Sequence, residues 1–301
     1  MAKEPRPLHG KVAAITGGAR GIGRATAQAF VRQGMKVAIG DLDLQAAQQT
    51  ADELGPDAAA FGLDVTDRRS FAAVLDGTQE QLGLLDVVVN NAGIMPIGRF
   101  QDEDDAIARR QVDINVHGVI TGTKLALERM VPRNTGAVVN IASQAGKFGI
   151  PGGATYSATK HAVVGLSEAV RGELALEDSA VDVVYVLPAL VNTELAAGTT
   201  QTRGVRKVEP HDVADAIVHA LGHGIVDVWV PRNTKAIGKV AALLPRRGTE
   251  AVARMLKADR ALYDFDSALR REYELRAAGS QAALGRGGDS PKEVGKQPSG
   301  S

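Results

Sequence analysis

The chain has 301 residues, balances 35 basic against 35 acidic side chains and contains no cysteine. That balance leaves no net field to draw nucleic acid, an anionic membrane or a polyanionic substrate, and suits a small, roughly neutral ligand. Without cysteine there is no disulfide scaffold, thiolate nucleophile or Cys-bound zinc, which fits a reducing compartment and makes the cytoplasm the expected location.

The opening stretch, MAKEPRPLHGK, is polar and Pro-containing and has no apolar core of the kind an export signal needs. No run of about 18 apolar residues occurs after it, so no spanning helix is expected. Short β-branched runs then alternate with segments of helical length. Strands are predicted at Val12 to Thr16, Lys36 to Gly40, Ala58 to Leu63, Asp86 to Asn90, Gly136 to Ala142, Val181 to Leu187 and Val226 to Val230. Helices are predicted between them at Ile22 to Gln33, Leu44 to Leu54, Arg68 to Leu82, Asp104 to Met130 and Thr155 to Glu177. This βαβα order implies a Rossmann-type, doubly wound parallel sheet with helices on both faces, and the nearly continuous apolar strands imply burial on both sides.

That α/β domain accounts for residues 8 to 231. Residues 232 to 276 read as a helical C-terminal extension. Its apolar positions Ile237, Val240, Leu243, Leu244, Met255 and Leu256 are expected to pack on the domain, ahead of lining a substrate entrance, packing against another subunit or lying on a membrane surface. The mixed charges from Arg246 to Arg276 read as a solvated helical surface. From Ala277 to Ser301 the chain has too few large apolar residues to offset its chain entropy, and a disordered tail is expected.

Chemistry concentrates where predicted strands end. Thr16-Gly17-Gly18-Ala19-Arg20-Gly21-Ile22-Gly23 joins the first strand to the first helix, where glycines allow a tight turn and a backbone approach to pyrophosphate at a helix N-terminus. Asp41 ends the second strand, where a carboxylate accepts from the adenosine ribose hydroxyl of NAD. Further along, Asp64-Val65, Asn90-Asn91-Ala92-Gly93, Asn115, Ser143, Tyr156-Ser157-Ala158-Thr159-Lys160, and Pro188 with Thr193 complete a set of spaced motifs. With them the chain resembles the short-chain dehydrogenase/reductase family, whose motifs span residues 8 to 231 in this order.

The residue types have physical reasons to occur together. Carbonyl reduction needs a proton donor and alcohol oxidation a base at the same oxygen; Tyr156 can be both, yet a free phenol ionises only near pH 10. Lys160, four residues on and on the same helical face, is expected to favour the phenolate. Ser143 follows the fifth strand at the sheet edge where open α/β proteins bind ligands, and can position the substrate oxygen. The resemblance further implies that Lys160 binds the nicotinamide ribose and that Asn115 holds a water in a proton relay. It implies Asn115, Ser143, Tyr156 and Lys160 as catalytic residues. The implied cofactor contacts are Gly17, Arg20, Gly21, Ile22, Gly23, Asp41, Asp64, Val65, Asn91, Ala92, Gly93, Tyr156, Lys160, Pro188, Val191 and Thr193. A homo-oligomer, dimer or tetramer, on the helices bearing Asn115 and Tyr156 is also implied.

Two positions qualify the match. Ala189 stands where the family usually has glycine, and alanine adopts positive φ less readily. Arg20 could help hold an NADP phosphate, but a carboxylate at Asp41 about 4 Å from that phosphate would cost about 4 kcal/mol at an effective dielectric of about 20. NAD is therefore the expected cofactor. The expected function is hydride transfer between NAD(H) and a small alcohol or ketone, with an NADPH-dependent reductase or a non-catalytic dinucleotide-binding regulator as alternatives. Phe148, Ile150, Leu190 and Leu195 suggest an apolar substrate. His219 and His223 have a zinc-compatible spacing without a third ligand, so no metal is assigned. The run Asp102-Glu103-Asp104-Asp105 reads as a helix start, where negative charge is favoured.

Overall fold

The computed structural model describes residues 5–200, 208–243, 245–255 and 258–279, and among the described residues the alternating runs fold as seven strands and ten helices. The strands are β1 (Val12–Thr16), β2 (Lys36–Asp41), β3 (Ala58–Gly62), β4 (Leu85–Asn90), β5 (Ala137–Ile141), β6 (Asp182–Pro188) and β7 (Asp227–Val230). They form one parallel sheet in the order β3-β2-β1-β4-β5-β6-β7. Six helices connect them: α1 (Gly21–Arg32), α2 (Leu44–Leu54), α3 (Arg68–Leu82), the pair α4 (Asp105–Val112) and α5 (Gly118–Met130), and α6 (Ala154–Leu176). A seventh, α7 (Pro210–His223), leads into β7.

Strand alternation assigns the helices to faces, because successive side chains point to opposite sides. Ala13, Ile15, Val37, Ile39, Val87 and Val89 pack with Phe30 of α1, Ala47 of α2 and Ile217 of α7. The intervening Ala14, Ala38, Val88 and Val138 pack with Phe71 of α3, Met130 of α5 and Leu174 of α6. The sheet is thus buried on both faces, as its continuous apolar strands require.

A polar seam runs through the second layer. Asn90 on β4 donates through Nδ2 to Asn140 Oδ1 on β5 at 2.8 Å, and Asn140 Nδ2 donates to Ser167 Oγ on α6 at 3.0 Å. Ser167 Oγ donates onward to Val163 O at 2.7 Å. Gly122 of α5 lets that helix approach: a Cβ there would collide with Asn90 Oδ1 and lie 2.6 Å from Phe71 Cζ.

The helix expected over Asp104 to Met130 is interrupted. α4 gives way to a π turn over Asp113–His117 before α5 resumes. A π turn inserts one extra residue into the ladder and rotates the residues beyond it, and here it buries Asn115 completely. Asp104 caps α4 by accepting from Ala106 N and Ile107 N, as the acidic run suggests.

The C-terminal extension departs further from expectation. It forms α8 (Thr234–Leu243), α9 (Arg246–Met255) and α10 (Ser267–Gly279). Ile237, Val240, Leu243 and Met255 do not pack on the domain: they are 46, 60, 86 and 70 % exposed. Leu244 and Leu256 lie outside the described residues. α10 runs three residues into the stretch expected to be disordered, with Ala277 buried and its carbonyl accepting from Arg110 Nε at 3.1 Å. The rest of that stretch, 280–301, lies outside the described residues. No helix among the described residues is long and apolar enough to cross a membrane.

The α5–β4 approach yields a stability test. Gly122→Ala should destabilise the fold by about 1–3 kcal/mol, because a buried methyl must displace both Asn90 and Phe71. A lowered urea midpoint at unchanged slope is the expected result; a midpoint equal to wild type would show that the seam yields freely.

Candidate active site

At the sheet's centre β1 and β4 are neighbours whose following segments part to opposite faces, and a crevice opens above their C-terminal ends. Thr16 and Asn91 hold its two sides together. Thr16 Oγ1 accepts from Asn91 N at 3.0 Å and Ala92 N at 2.9 Å. Asn91 Nδ2 in return donates to the carbonyls of Thr16 and Gly17, both at 2.9 Å.

The glycine turn fits a dinucleotide phosphate. Gly17 and Gly21 have φ of +62° and +54°, and a Cβ at Gly23 would strike the Gly17 carbonyl and lie 2.6 Å from Asn91 Nδ2. Arg20 precedes α1 without a side-chain cap, so the first N–H groups of that helix are not covered by a local acceptor. Gly17, Arg20, Gly21, Ile22, Asp41, Asp64, Val65, Asn91, Ala92 and Gly93 border one continuous cleft of about 2450 Å³, with Pro188, Val191 and Thr193 across it. Gly23 lies just beneath this surface.

Asp41 stands at the end of β2 with Oδ2 accepting from Ala19 N and Oδ1 from Asp43 N, each at 3.1 Å. Burial pushes its carboxyl above the ordinary range, and these two N–H groups pull it back. Arg20 is already engaged: its Nη2 donates to Asp43 Oδ2 at 2.7 Å, and that bond raises the guanidinium further above its usual value. Asp43, itself partly exposed, caps α2 through Ala46 N and pairs with Arg20. Asp64 orders its own turn by accepting from Thr66 N and Oγ1 at 2.9 and 2.7 Å.

The four candidate catalytic residues converge from three segments. Tyr156 and Lys160 lie one turn apart on α6, and both are buried. Lys160 Nζ donates to Ile141 O at 2.8 Å and lies 5.6 Å from the Tyr156 ring centre. Ser143, in extended backbone after β5, faces the same cleft and accepts from Ala145 N through Oγ at 3.1 Å. Asn115 ties the π turn to the segment after β4, since its Oδ1 accepts from Ile94 N and its Nδ2 donates to Ile94 O, both at 2.8 Å. Its Nδ2 also reaches Thr159 Oγ1 on α6 at 3.2 Å.

Burial outweighs the electrostatic effect expected from Lys160. The Tyr156 phenol is pushed up to about 12 by desolvation, with the Ser143 side chain pulling it back, and desolvation lowers Lys160 to about 8. Each charged form loses hydration in the same dry site.

Ala189 resolves its departure from the family pattern: it has no positive φ and simply donates to Val230 O at 2.8 Å. The following segment folds back so that Thr193 Cγ2 lies 3.3 Å from where a Gly21 Cβ would be. On the substrate side Met95, Ala145, Tyr156 and Leu262 pack together, flanked by Ile97, Ile150, Leu190 and Leu195. Phe148 borders the cleft but packs with Val164, Leu187 and Trp229 instead. His219 and His223 stack at 4.0 Å on α7, and no group of three metal-ligating side chains occurs among the described residues.

Sequence reasoning missed the residues of α10. Arg270, placed there in a solvated surface, is fully buried. It donates to the carbonyls of Met95, Leu195 and Ala197 at 2.7, 3.0 and 3.0 Å and to Glu274 Oε1 at 2.9 Å. Beneath it, Tyr273 Oη accepts from Met95 N at 2.6 Å. The two residues pin the segments after β4 and β6 to α10. A charge-rich helical stretch carries no periodic signal that could have singled out one buried arginine.

The protein-family model described as short chain dehydrogenase matches residues 11–204. Zerumbone synthase of Zingiber zerumbet is 34 % identical over 235 residues, covering 70 % of this chain and 88 % of that protein. A short-chain dehydrogenase/reductase from Burkholderia phymatum, solved with NAD, superposes with a TM-score of 0.73 at 26 % identity, over 79 % of this chain and 94 % of that one. A 3-ketoacyl-(acyl-carrier-protein) reductase from Brucella melitensis, solved with NADH, gives 0.68 at 27 % identity, over 74 % and 97 %. The chain belongs to the short-chain dehydrogenase family, and so to a class of oxidoreductases built on this sheet and crevice.

Removing the Arg270 guanidinium leaves the buried Met95 carbonyl and the part-buried carbonyls of Leu195 and Ala197 without this donor. Arg270→Ala should cost about 3–5 kcal/mol of stability, and Arg270→Lys should restore only part of it, because one ammonium cannot reproduce the planar fork. Thermal melts of the three proteins check this; an alanine variant melting with wild type would show the clasp to be dispensable.

Proposed function

We propose that the protein is an NAD-dependent oxidoreductase that moves a hydride between the nicotinamide ring and a small apolar alcohol or its ketone. The observation that carries this reading is the pairing of Tyr156 and Lys160, buried one helical turn apart beside Ser143 on an apolar cleft. Bound NAD(H) supplies the hydride donor or acceptor. Everything else is the work of the chain.

The Ser143 hydroxyl orients the substrate oxygen, and Tyr156 Oη gives it a proton in reduction or takes one in oxidation. A phenol near 12 holds its proton at neutral pH and is ready as the donor; the oxidative direction needs added positive charge beside it. Lys160 holds the nicotinamide ribose hydroxyls through its ammonium, and Asn115 shapes the turn through which protons reach it. The glycine turn receives the pyrophosphate on backbone N–H groups. Asp41 accepts from the adenosine ribose, and Asp43 occupies Arg20, a cation that could otherwise favour an NADP phosphate. We also assign the active form to a homo-oligomer and, on the absence of cysteine, to the cytoplasm.

Tyr156→Phe should fold and bind NADH yet lose nearly all turnover, because it deletes the transferable proton and little else. A panel of secondary alcohols and ketones followed by cofactor absorbance checks this, and retained activity would remove the proposed acid/base.

Cofactor affinity should depend on pH through Lys160. Its ammonium is charged below about 8 and loses its proton above, so NADH binding should weaken as pH rises through that value. In Lys160→Met it should be weak and flat across the same range. Fluorescence titrations from pH 6 to pH 10 separate these outcomes, and a wild-type profile as flat as the variant's would remove the ribose role.

Asp41→Ser should narrow or reverse the preference for NAD over NADP. If about 3 kcal/mol of carboxylate–phosphate repulsion survives screening, wild-type discrimination exceeds about a hundredfold. Dissociation constants for both cofactors at fixed ionic strength test this; a preference indifferent to the substitution would mean that Asp41 does not govern selection.

A further inference from the structure

Overall neutrality hides a local asymmetry. Residues 234–255 carry Lys235, Lys239, Arg246, Arg247 and Arg254 against the single acidic Glu250, in a chain whose total is zero, and Lys235 is paired with Asp227 at 2.7 Å, which leaves a net positive charge of about +3. Among the described residues, Lys239, Arg247 and Arg254 make no ion pair. The same two helices hold the exposed Ile237, Val240, Leu243 and Met255.

The placement of α8 decides which side of it is outward. Its first residue is buried, with Thr234 Oγ1 accepting from Gln144 Nε2 at 2.7 Å. A Cβ at Gly238 would lie 2.7 Å from the Trp229 ring. Helical spacing then turns Val240 and Leu243 away from the protein, with Lys239 beside them. Ile237, Ala253 and Arg254 border the cleft, so this apolar, basic face meets the rim of the substrate side.

We infer that α8 and α9 form a surface that docks peripherally on an anionic lipid bilayer, at the mouth of the active-site cleft. Exposed aliphatic side chains flanked by Lys and Arg are what the interfacial zone of such a bilayer accepts. A second copy meeting this face symmetrically would set net positive charge against net positive charge, and no helix of the described residues can span the bilayer instead. The cleft's apolar wall continues from that rim through Leu190, Leu195 and Leu262. A lipid-dissolved substrate would pass from bilayer to cleft without crossing water; that last step rests on the oxidoreductase reading, whereas the docking does not.

The test is sedimentation of the full chain with vesicles of phosphatidylcholine alone or with phosphatidylglycerol. Binding should require the anionic lipid and weaken with salt. Val240→Asp combined with Leu243→Asp should abolish it. Lys239→Glu combined with Arg247→Glu should reduce it by about fivefold or more for each cation removed. Both double variants should keep wild-type NADH affinity and wild-type turnover of a water-soluble alcohol, which shows that they fold. No binding to anionic vesicles, or binding unchanged in both variants, overturns the proposal. So does a lipid-free self-association, seen by ultracentrifugation, that the same substitutions abolish, since the face would then belong to a second copy. A failure of the hydride-transfer reading would appear in Tyr156→Phe turnover and leave the sedimentation result untouched.

Discussion

The two hydrogen-bonded ties between Thr16 and Asn91 hold the site open at one place. A parallel sheet whose order reverses between β1 and β4 must let the chain leave these strands toward opposite faces, which leaves backbone groups facing a gap. Thr16 Oγ1 and the Asn91 side chain satisfy five of those groups across it. That spares buried polar groups the cost of going unpaired. With the crevice held, the glycine turn, Asp41 and the segment after β4 all face one volume.

Burial sets the character of the Tyr156–Lys160 pair. Seating Tyr156 and Lys160 on α6 against β5 removes water from the phenol and lets Ile141 O fix the ammonium. The same dryness opposes charge on either group. The phenol is held neutral and the ammonium is brought closer to titrating, both by the same loss of hydration. The seam of Asn90, Asn140 and Ser167 lies directly behind and gives α6 one registered position on the sheet.

The substrate side is built differently. Residue 204 ends the family match, yet Leu262, Arg270 and Tyr273 complete the wall around Tyr156. Loops after β4 and β6 supply carbonyls and an N–H that no strand or helix satisfies, and one arginine and one tyrosine from α10 satisfy them. The pocket's shape is therefore tied to the docking of a helix from the far end of the chain. The wall beside Tyr156 is completed by residues beyond the end of the family match.

The sequence by itself determined the sheet, its helical cover, the glycine turn and the gathering of Ser143, Tyr156 and Lys160 at one edge. These arise from local causes: apolar runs of strand length, glycines where φ is positive, and a four-residue spacing that fixes one helix face. Tertiary structure alone decided the rest. The π turn at Asn115 is offset by two bonds to Ile94, twenty-one residues away, which no local pattern announces. Asp43 became Arg20's partner because two turns meet in space. Arg270 went inside and Leu243 outside, against their hydropathy, because burial depends on which carbonyls or surfaces lie opposite, and that is known only once distant segments have packed.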